Sequence, residues 1–407
     1  MQPLAAGALR PTTPSAIGPR RPGGLVYSSW FGDLGGGELR MLDHLRATAL
    51  APGRITVLVA QSGPLQAALA TLGAATRLNV WKGGSSWWTR QWHWYRAWLR
   101  CAWVLRTARP RLVVCNTFFD LESTGQVAGA LGLPLVWRAR ADTFPYAHHW
   151  PAGRLATVVG FLNRRVAAIA ATTNHEAEMM IAAGVDRAKV RVIRNGVDLA
   201  RYEAAAAGAA MRAEQGFGAD DFVLGFVARM VPQKGYAVFF DAMAALKARG
   251  VPVRALVAGD TTLLEESADA YKRSLREQVL RLGLVDDVRF LGFRNDVPVV
   301  MNAIDAFVCA SAVEPFGNTI IEAMAAARPV VSSDVAGPRE SIVEGCTGAF
   351  FAPGDAAALA DRLQALHLDR AAAAAMGREG RRRAEQVFDL GRNIAELDRL
   401  CSDVAAR

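Results

Sequence analysis

One local pattern recurs along the chain and limits what it can fold into: a short apolar run, then a turn, then a stretch with helical periodicity. It begins where "GGLVYSSW" runs into "GGGELRMLDHLRATAL", and it returns at "RITVLVA", "RLVVCNT", "LPLVWRA" and "KVRVIRN". Such runs alternating with helices form parallel sheets, because each crossover needs a helix to bring the chain back alongside its previous strand. The second half restarts the series with "DFVLGFVAR", "VPVRALVAG", "DVRFLGF", "IDAFVCAS" and "RPVVSSDV". The expected fold class is therefore α/β, with two doubly wound domains. The Ala-rich stretch "LARYEAAAAGAAMRAEQGFGADD" separates the two series and reads as a weakly structured junction. The expected layout is a disordered tail over residues 1–24, a first domain over 25–200, a second over 201–387, and a C-terminal helix at about 388–407 that crosses back onto the first.

Composition narrows the class. A chain of 407 residues, 52% hydrophobic and 21% charged, has enough apolar surface for two real cores. Its five cysteines are widely spaced, with no CxxC pair and no His at ligand spacing, so neither a disulfide framework nor a zinc site is expected, and a reducing cytosol fits. No apolar run approaches the roughly 18 residues needed to span a bilayer. The opening segment has no signal-peptide core; its three Arg and lack of acids faintly resemble a transit peptide, but its Pro content argues against a targeting helix. Charge is uneven: residues 1–200 hold 23 Lys and Arg against 10 Asp and Glu, and residues 201–407 hold 24 against 28. The basic character belongs to the first half alone.

Doubly wound sheets bind ligands beyond the carboxyl ends of their strands. In "LGFVARMVPQKGYAVFFDAMAAL" a strand ends at Arg229, and Lys234 stands at the mouth of a helix, where the helix dipole disfavours a cation unless an anion docks between them. A diphosphate would satisfy Arg229, Lys234 and the helix amides together; the alternative is a pair of solvated loop charges. In "IDAFVCASAVEPFGNTIIEAMAAA" Glu314 lies on the loop leaving a strand, with no evident structural task. Gly317, Asn318 and Thr319 would offer amides to a phosphate or a sugar hydroxyl. Glu322 has two readings, since Thr319 followed three residues later by Glu also spells a capping box.

These motifs together resemble the donor-binding signature of the retaining glycosyltransferases of family 4. "EPFGN" and "EAMA" hold the two glutamates, "RPVVSSDVAGPRESI" follows, "ARMVPQKG" carries the Arg and Lys, and "RNGVD" at 194–198 matches the segment before that family's interdomain linker. The resemblance spans residues 25 to 400 or so and implies the GT-B fold, two Rossmann-like domains facing across a cleft. It implies that Glu314 contacts the donor sugar near the reacting carbon, Glu322 binds the ribose hydroxyls, Arg229 and Lys234 hold the diphosphate, and Phe293 and Arg294 lie near the nucleobase. The first domain would bind the acceptor. Gly35, Gly36 and Gly37 precede a helix carrying Glu38 without GxGxxG spacing, and the resembled family has a glycine-rich cleft loop at this place.

Relatives in that family carry a His after the strand written here "LPLVWRARADTFPYAHHW", where this chain has Arg140, Ala141 and Asp142. Asp142 is the candidate to replace it, with His148 or His149 approaching from the next loop as alternatives. Asp120 and Glu122 form only a weak acidic pair, and His175 reads as a helix-surface residue. No DxD motif occurs, so no metal and no cofactor is expected; the nucleotide-diphosphate sugar is a substrate. The implied reaction is sugar transfer with retention of configuration onto a glycan or lipid-linked acceptor, as in surface-polysaccharide assembly. The alternatives are a nucleotide-sugar epimerase and a non-catalytic nucleotide-sugar-binding subunit.

The segment "WKGGSSWWTRQWHWYRAWLRCAWVLRTARPR" holds seven of the ten Trp. At about 100° per residue, Trp87, Trp92, Trp94, Tyr95, Trp98, Leu99, Trp103 and Leu105 fall on one broad face, and Arg90, His93, Arg96 and Arg100 on the other. Such a helix either packs its aromatics on the sheet or enters a membrane interface, with Trp87, Trp94, Trp98, Arg96 and Arg100 as the membrane or acceptor surface. The second reading puts the protein in the cytoplasm, peripheral to the inner face of an anionic plasma membrane. No nucleic-acid motif accompanies the charge.

Overall fold

The computed structural model describes residues 23–48, 54–78, 87–140, 150–151, 153–218, 220–260 and 266–407, with residues 78, 87–91 and 266–269 described by their backbone alone. The chain forms two compact units, residues 1–195 with 391–407, and residues 196–390.

The first unit is built on seven parallel strands: β1 (Leu25–Ser29), β2 (Ile55–Val59), β3 (Ala75–Leu78), β4 (Leu112–Cys115), β5 (Leu135–Ala139), β6 (Ala168–Ala171) and β7 (Val190–Val192). Their order is β3-β2-β1-β4-β5-β6-β7. Helices cover both faces, which is why the strands read as continuous apolar runs. On one face the helices Gly36–Ala47, Pro64–Thr71 and Leu390–Ala406 bury Met41, Leu42, Leu65, Leu69, Leu397 and Val404 against Tyr27, Val57 and Val114. On the other, Trp87–Ala108, Arg154–Arg165 and Asn174–Ala182 set Cys101, Leu105, Leu162 and Met180 against Val26, Val113 and Trp137. His44, 1% exposed, ties the last helix to this unit: Nε2 lies 2.6 Å from Asp398 Oδ1 and Nδ1 meets the Tyr27 hydroxyl.

The second unit has six parallel strands: β8 (Phe222–Val227), β9 (Val253–Ala258), β10 (Val288–Gly292), β11 (Ala306–Cys309), β12 (Val330–Ser333) and β13 (Gly348–Phe351). Their order, β10-β9-β8-β11-β12-β13, repeats that of the first unit. The helix Tyr236–Ala248 buries Phe239, Phe240, Met243 and Leu246 on one face of the sheet. Each such side chain is worth about 1.5–3 kcal/mol removed from water. The helices Val297–Ala303 and Asn318–Ala325 bury Met301, Ile320, Ile321 and Met324 on the other face.

Both sheets are thus doubly wound α/β, and the switch in strand order falls between β1 and β4 in the first unit and between β8 and β11 in the second. Connections leave the carboxyl ends of these paired strands in opposite directions, opening a crevice where ligands bind.

Three sequence expectations are corrected. The Ala-rich junction is not weakly structured: Leu199–Tyr202 is a 3₁₀ turn, and Ala205–Glu214 is a helix packed on Val297–Ala303, with Met211 buried and Gly208 against the Asn302 backbone. The change of unit comes earlier, between Asn195 and Gly196. Second, Gly36 and Gly37 do not precede the first helix but form its opening residues, with Gly35 as N-cap.

The third concerns the Trp-rich helix. It buries Ala97, Cys101, Ala102, Val104 and Leu105, with Trp98 packed at the margin of that core, and exposes Trp92, Trp94, Tyr95, Leu99 and Trp103. Small residues let the helix approach the sheet, so most of its aromatics face outward, alongside Arg96 and Arg100 rather than opposite them. The backbone of Trp87 starts this helix, but its side chain lies outside the described residues, as do Asp142, His148, His149 and, but for Gly23 and Gly24, the tail expected over residues 1–24.

Candidate functional site

The switch point of the second unit brings together residues 80 positions apart in the chain. After β8 the chain makes a 3₁₀ turn, Pro232–Lys234, and enters the helix Tyr236–Ala248 through Gly235. After β11 it runs through Ser311 and Glu314 to the helix Asn318–Ala325. The two loops are laced together. Ala312 N–H donates to the Gln233 carbonyl at 2.9 Å, and Lys234 Nζ donates to Glu314 Oε2 at 2.6 Å. The side chains of this pair are 16% and 13% exposed. Ser311 Oγ donates to the same carboxylate oxygen at 3.2 Å, and Ser333 Oγ donates to the Ser311 carbonyl, fixing the loop from β12.

Two glycines permit this approach. Gly235 is left-handed at φ 75°, and a Cβ there would stand 2.0 Å from the Ala310 carbonyl oxygen. Gly337 lies so close to the Glu314 loop that a Cβ would meet the Glu314 carbonyl oxygen at 2.1 Å. Neither contact can relax by moving a side chain, because both obstacles are backbone.

Arg229, two residues beyond the end of β8, is exposed, and its guanidinium meets no carboxylate among the described residues. Asn318 and Thr319 are the first two residues of their helix, half-buried, behind an N-cap at Gly317 with no side-chain cap bond. The capping box is therefore not formed. Thr319 lies inside the helix rather than at its cap, and Glu322 is the fifth helical residue, two positions past the one that role requires. Phe293 follows β10 and is 69% exposed; Arg294 is engaged by Asp296 in a two-pronged pair at 2.7 and 2.5 Å.

The switch point of the first unit holds a buried polar network. Asp120, 1% exposed, accepts from Thr117 Oγ1 at 2.7 Å and from Ser28 Oγ at 2.8 Å. Arg140, at the end of β5, donates to the Gly37 carbonyl in the first turn of the helix Gly36–Ala47, to Asn116 Oδ1 at 3.1 Å and to Asn195 Oδ1 at 3.4 Å. Glu38 is buried within reach of Ser29 Oγ, and burial raises its carboxyl pKa. At the same strand ends Trp30 and Phe119 stack with centroids 5.6 Å apart, and Phe31 meets Phe119 edge-on.

The family model described as "Glycosyl transferases group 1" matches residues 209–383, and the model "Glycosyltransferase Family 4" matches residues 34–201. The chain belongs to the group 1 glycosyltransferases. Its fold is the two-domain, Rossmann-like GT-B fold: a solved structure of Anabaena Alr3699/HepE in complex with UDP and glucose superposes with a TM-score of 0.80 at 26% identity, covering 93% of this chain and 99% of that one. Among curated relatives, the lipopolysaccharide core biosynthesis mannosyltransferase LpsB of Rhizobium meliloti is 31% identical over 230 residues, 56% of this chain and 63% of that protein. A glycogen synthase of Mycobacterium tuberculosis is 30% identical over 293 residues, 70% of this chain and 66% of that protein. The chain thus spans less than two thirds of the length of these two curated relatives. The epimerase alternative draws no support from these matches.

In this group 1 glycosyltransferase the second-unit candidates Lys234 and Glu314 are in direct contact, with Arg229, Gly317, Asn318 and Thr319 on the same two strand-end loops and helix starts. Phe293 and Arg294 stand at the end of β10, which β9 and β8 separate from β11 in the sheet. Sequence reasoning missed Ser311, Gly235 and Gly337 as supports, although "QKG" and "AGP" marked both glycines as turn positions. It also undervalued Asp120, which followed a strand at the switch point and is no surface acid.

Burial pushes the Asp120 carboxyl pKa up to about 7 against the pull of its Thr117 and Ser28 hydrogen bonds. Above its ordinary value of 3.8 the unfolded chain loses this proton while the folded unit keeps it up to about 7. Stability contributed here is therefore present at low pH and falls as pH rises through that window. Asp120→Asn should flatten the decline, and urea melts of the variant and the parent across about pH 4 to 7 would show it. Equal slopes would mean that Asp120 ionises as freely in the folded unit as in the unfolded chain.

Proposed function

We propose that this chain transfers a sugar from a nucleoside-diphosphate donor to an acceptor with retention of configuration, the donor held by the second unit. The observation that carries the proposal is the Lys234–Glu314 pair joining the two loops at the β8/β11 switch point, with Arg229 exposed on the first of those loops. A diphosphate there would give Arg229 an anionic partner and compete with Glu314 for Lys234, and the amides at the start of Asn318–Ala325 would add partial positive charge. Glu314, freed of part of its hold on Lys234, would face the sugar, and Glu322 would hold the ribose hydroxyls. These groups supply the charge that stabilises the leaving nucleotide, so transfer is proposed to need no divalent cation. Retention is what the resemblance to family 4 implies.

The acceptor is proposed to bind the first unit, where the Phe31 and Phe119 rings, 38% and 50% exposed, offer apolar faces for a sugar ring to stack on. A glycan carried on a lipid is the favoured class; the relative LpsB, named for lipopolysaccharide core biosynthesis, supports it. No helix among the described residues is long and apolar enough to cross a membrane, and a peripheral position at the cytoplasmic face of the membrane is proposed. The experiment is a thermal-shift screen of UDP-, GDP- and ADP-sugars, followed by a transfer assay with and without chelator. One nucleotide sugar should raise the melting temperature by several degrees and turn over in the presence of chelator. No shift with any of them would overturn the donor assignment.

A further inference from the structure

The Trp87–Ala108 helix carries an outward stripe that the transfer reaction does not explain. Trp92, Tyr95, Leu99 and Trp103 are 59%, 56%, 44% and 64% exposed. Their spacing places them within a wedge of roughly 80° on one face of the helix. Arg96, Arg100 and Arg106 are exposed on or beside the same stripe, and none pairs with a carboxylate among the described residues. The opposite face is satisfied by the core through Ala97, Cys101, Ala102, Val104 and Leu105, so the stripe is not an unfinished interior. Four large apolar side chains facing water along one helix are costly unless something covers them.

Charge identifies the cover. The helix contains four Arg and no acid, and it lies in an acid-free run of 76 residues, 44–119, that holds ten Lys and Arg. Trp, Tyr and Arg also suit a protein partner, but a stretch of 76 residues with ten basic side chains and no acid suits a uniformly anionic surface. A surface that alternates Trp, Tyr and Arg without a single carboxylate matches the headgroup region of a bilayer, where indole and phenol rings sit at the boundary and guanidinium groups meet lipid phosphates. We propose that this face docks the first unit on an anionic phospholipid surface, with Trp92, Tyr95, Leu99 and Trp103 entering the interface and Arg96, Arg100 and Arg106 pairing with headgroups. The docking is independent of the transfer reaction and holds whatever donor or acceptor the protein uses.

The test is co-sedimentation of the full chain with vesicles of phosphatidylcholine containing about a third phosphatidylglycerol, against vesicles of phosphatidylcholine alone, at low and at high salt. The parent should partition onto the anionic vesicles at low salt, bind the neutral ones weakly, and shift its Trp emission to the blue when bound. Trp92→Ser with Trp103→Ser should lower the partition coefficient about tenfold or more. Arg96→Gln with Arg100→Gln should lower it on the order of twentyfold on anionic vesicles alone. Both pairs are exposed, so circular-dichroism melts should match the parent. Failure of the parent to bind anionic vesicles at low salt would overturn the proposal, as would binding that neither double variant weakens. Sedimentation velocity adds a further outcome: self-association of the parent that Trp92→Ser with Trp103→Ser abolishes would assign the stripe to a second copy of the chain instead.

Discussion

Lys234→Ala should lower kcat/KM for sugar transfer by about 10²–10³-fold, the usual cost of removing one preorganised group that meets developing negative charge. The charge on Lys234 is held in place before any ligand arrives, by Glu314 at 2.6 Å and by a 3₁₀ turn that Gly235 seats against Ala310. Its removal leaves the Glu314 carboxylate with Ser311 as hydrogen-bond partner, so a stability loss of about 1–2 kcal/mol should accompany the kinetic one. Lys234→Arg keeps the charge but not the reach and should recover stability better than rate. Steady-state kinetics beside a thermal melt of each variant separates the two effects. Full activity in Lys234→Ala would remove the clamp from the mechanism.

The two glutamates should divide the donor between them. Glu314→Gln keeps the shape of the loop but loses the ion pair and the charge facing the sugar; turnover should fall by about 10²-fold or more while affinity for the free nucleoside diphosphate changes only a few-fold. Glu322→Gln should do the reverse, weakening the whole nucleotide by about 10–100-fold, the loss expected when charge-assisted hydrogen bonds to two hydroxyls become neutral ones. Gln would serve equally well in a capping box, but Thr319 lies inside the helix and Gly317 is its cap, so no such box exists to preserve. Kinetics combined with calorimetric titration of the nucleotide reads both quantities. Equal loss of nucleotide affinity in the two variants would contradict the division.

Much of the fold was legible because the strands are buried on both faces and so read as plain apolar runs. Where that signal weakens, the reading failed. Ala168–Ala171, next to the edge strand β7, is made of Ala but for Ile169, and Ala favours no pleated surface; Ala75–Leu78 is a short edge strand of mixed polarity. Gly348–Phe351 is equally short and follows directly on a turn. The helix Ala205–Glu214 looked featureless because its contacts with Val297–Ala303 call for small residues such as Gly208. In the candidate site, individual residues were visible at strand ends, but their pairing was not. Nothing local in "PQKG" announces Glu314, and nothing in "FFDLES" announces that Asp120 reaches back 92 residues to Ser28. The Trp-rich helix misled in the opposite sense, since periodicity alone cannot say whether its large or its small residues face the sheet.

The most direct test of the donor site is calorimetric titration of the parent and Lys234→Ala with the nucleoside diphosphate that the screen selects and with its bare nucleoside. If the diphosphate lies between the β8 and β11 loops, the parent should bind the diphosphate far more tightly than the nucleoside. Lys234→Ala should lose about 10–100-fold of the diphosphate affinity and almost none of the nucleoside affinity. Diphosphate binding of equal strength in the variant and the parent would contradict the site.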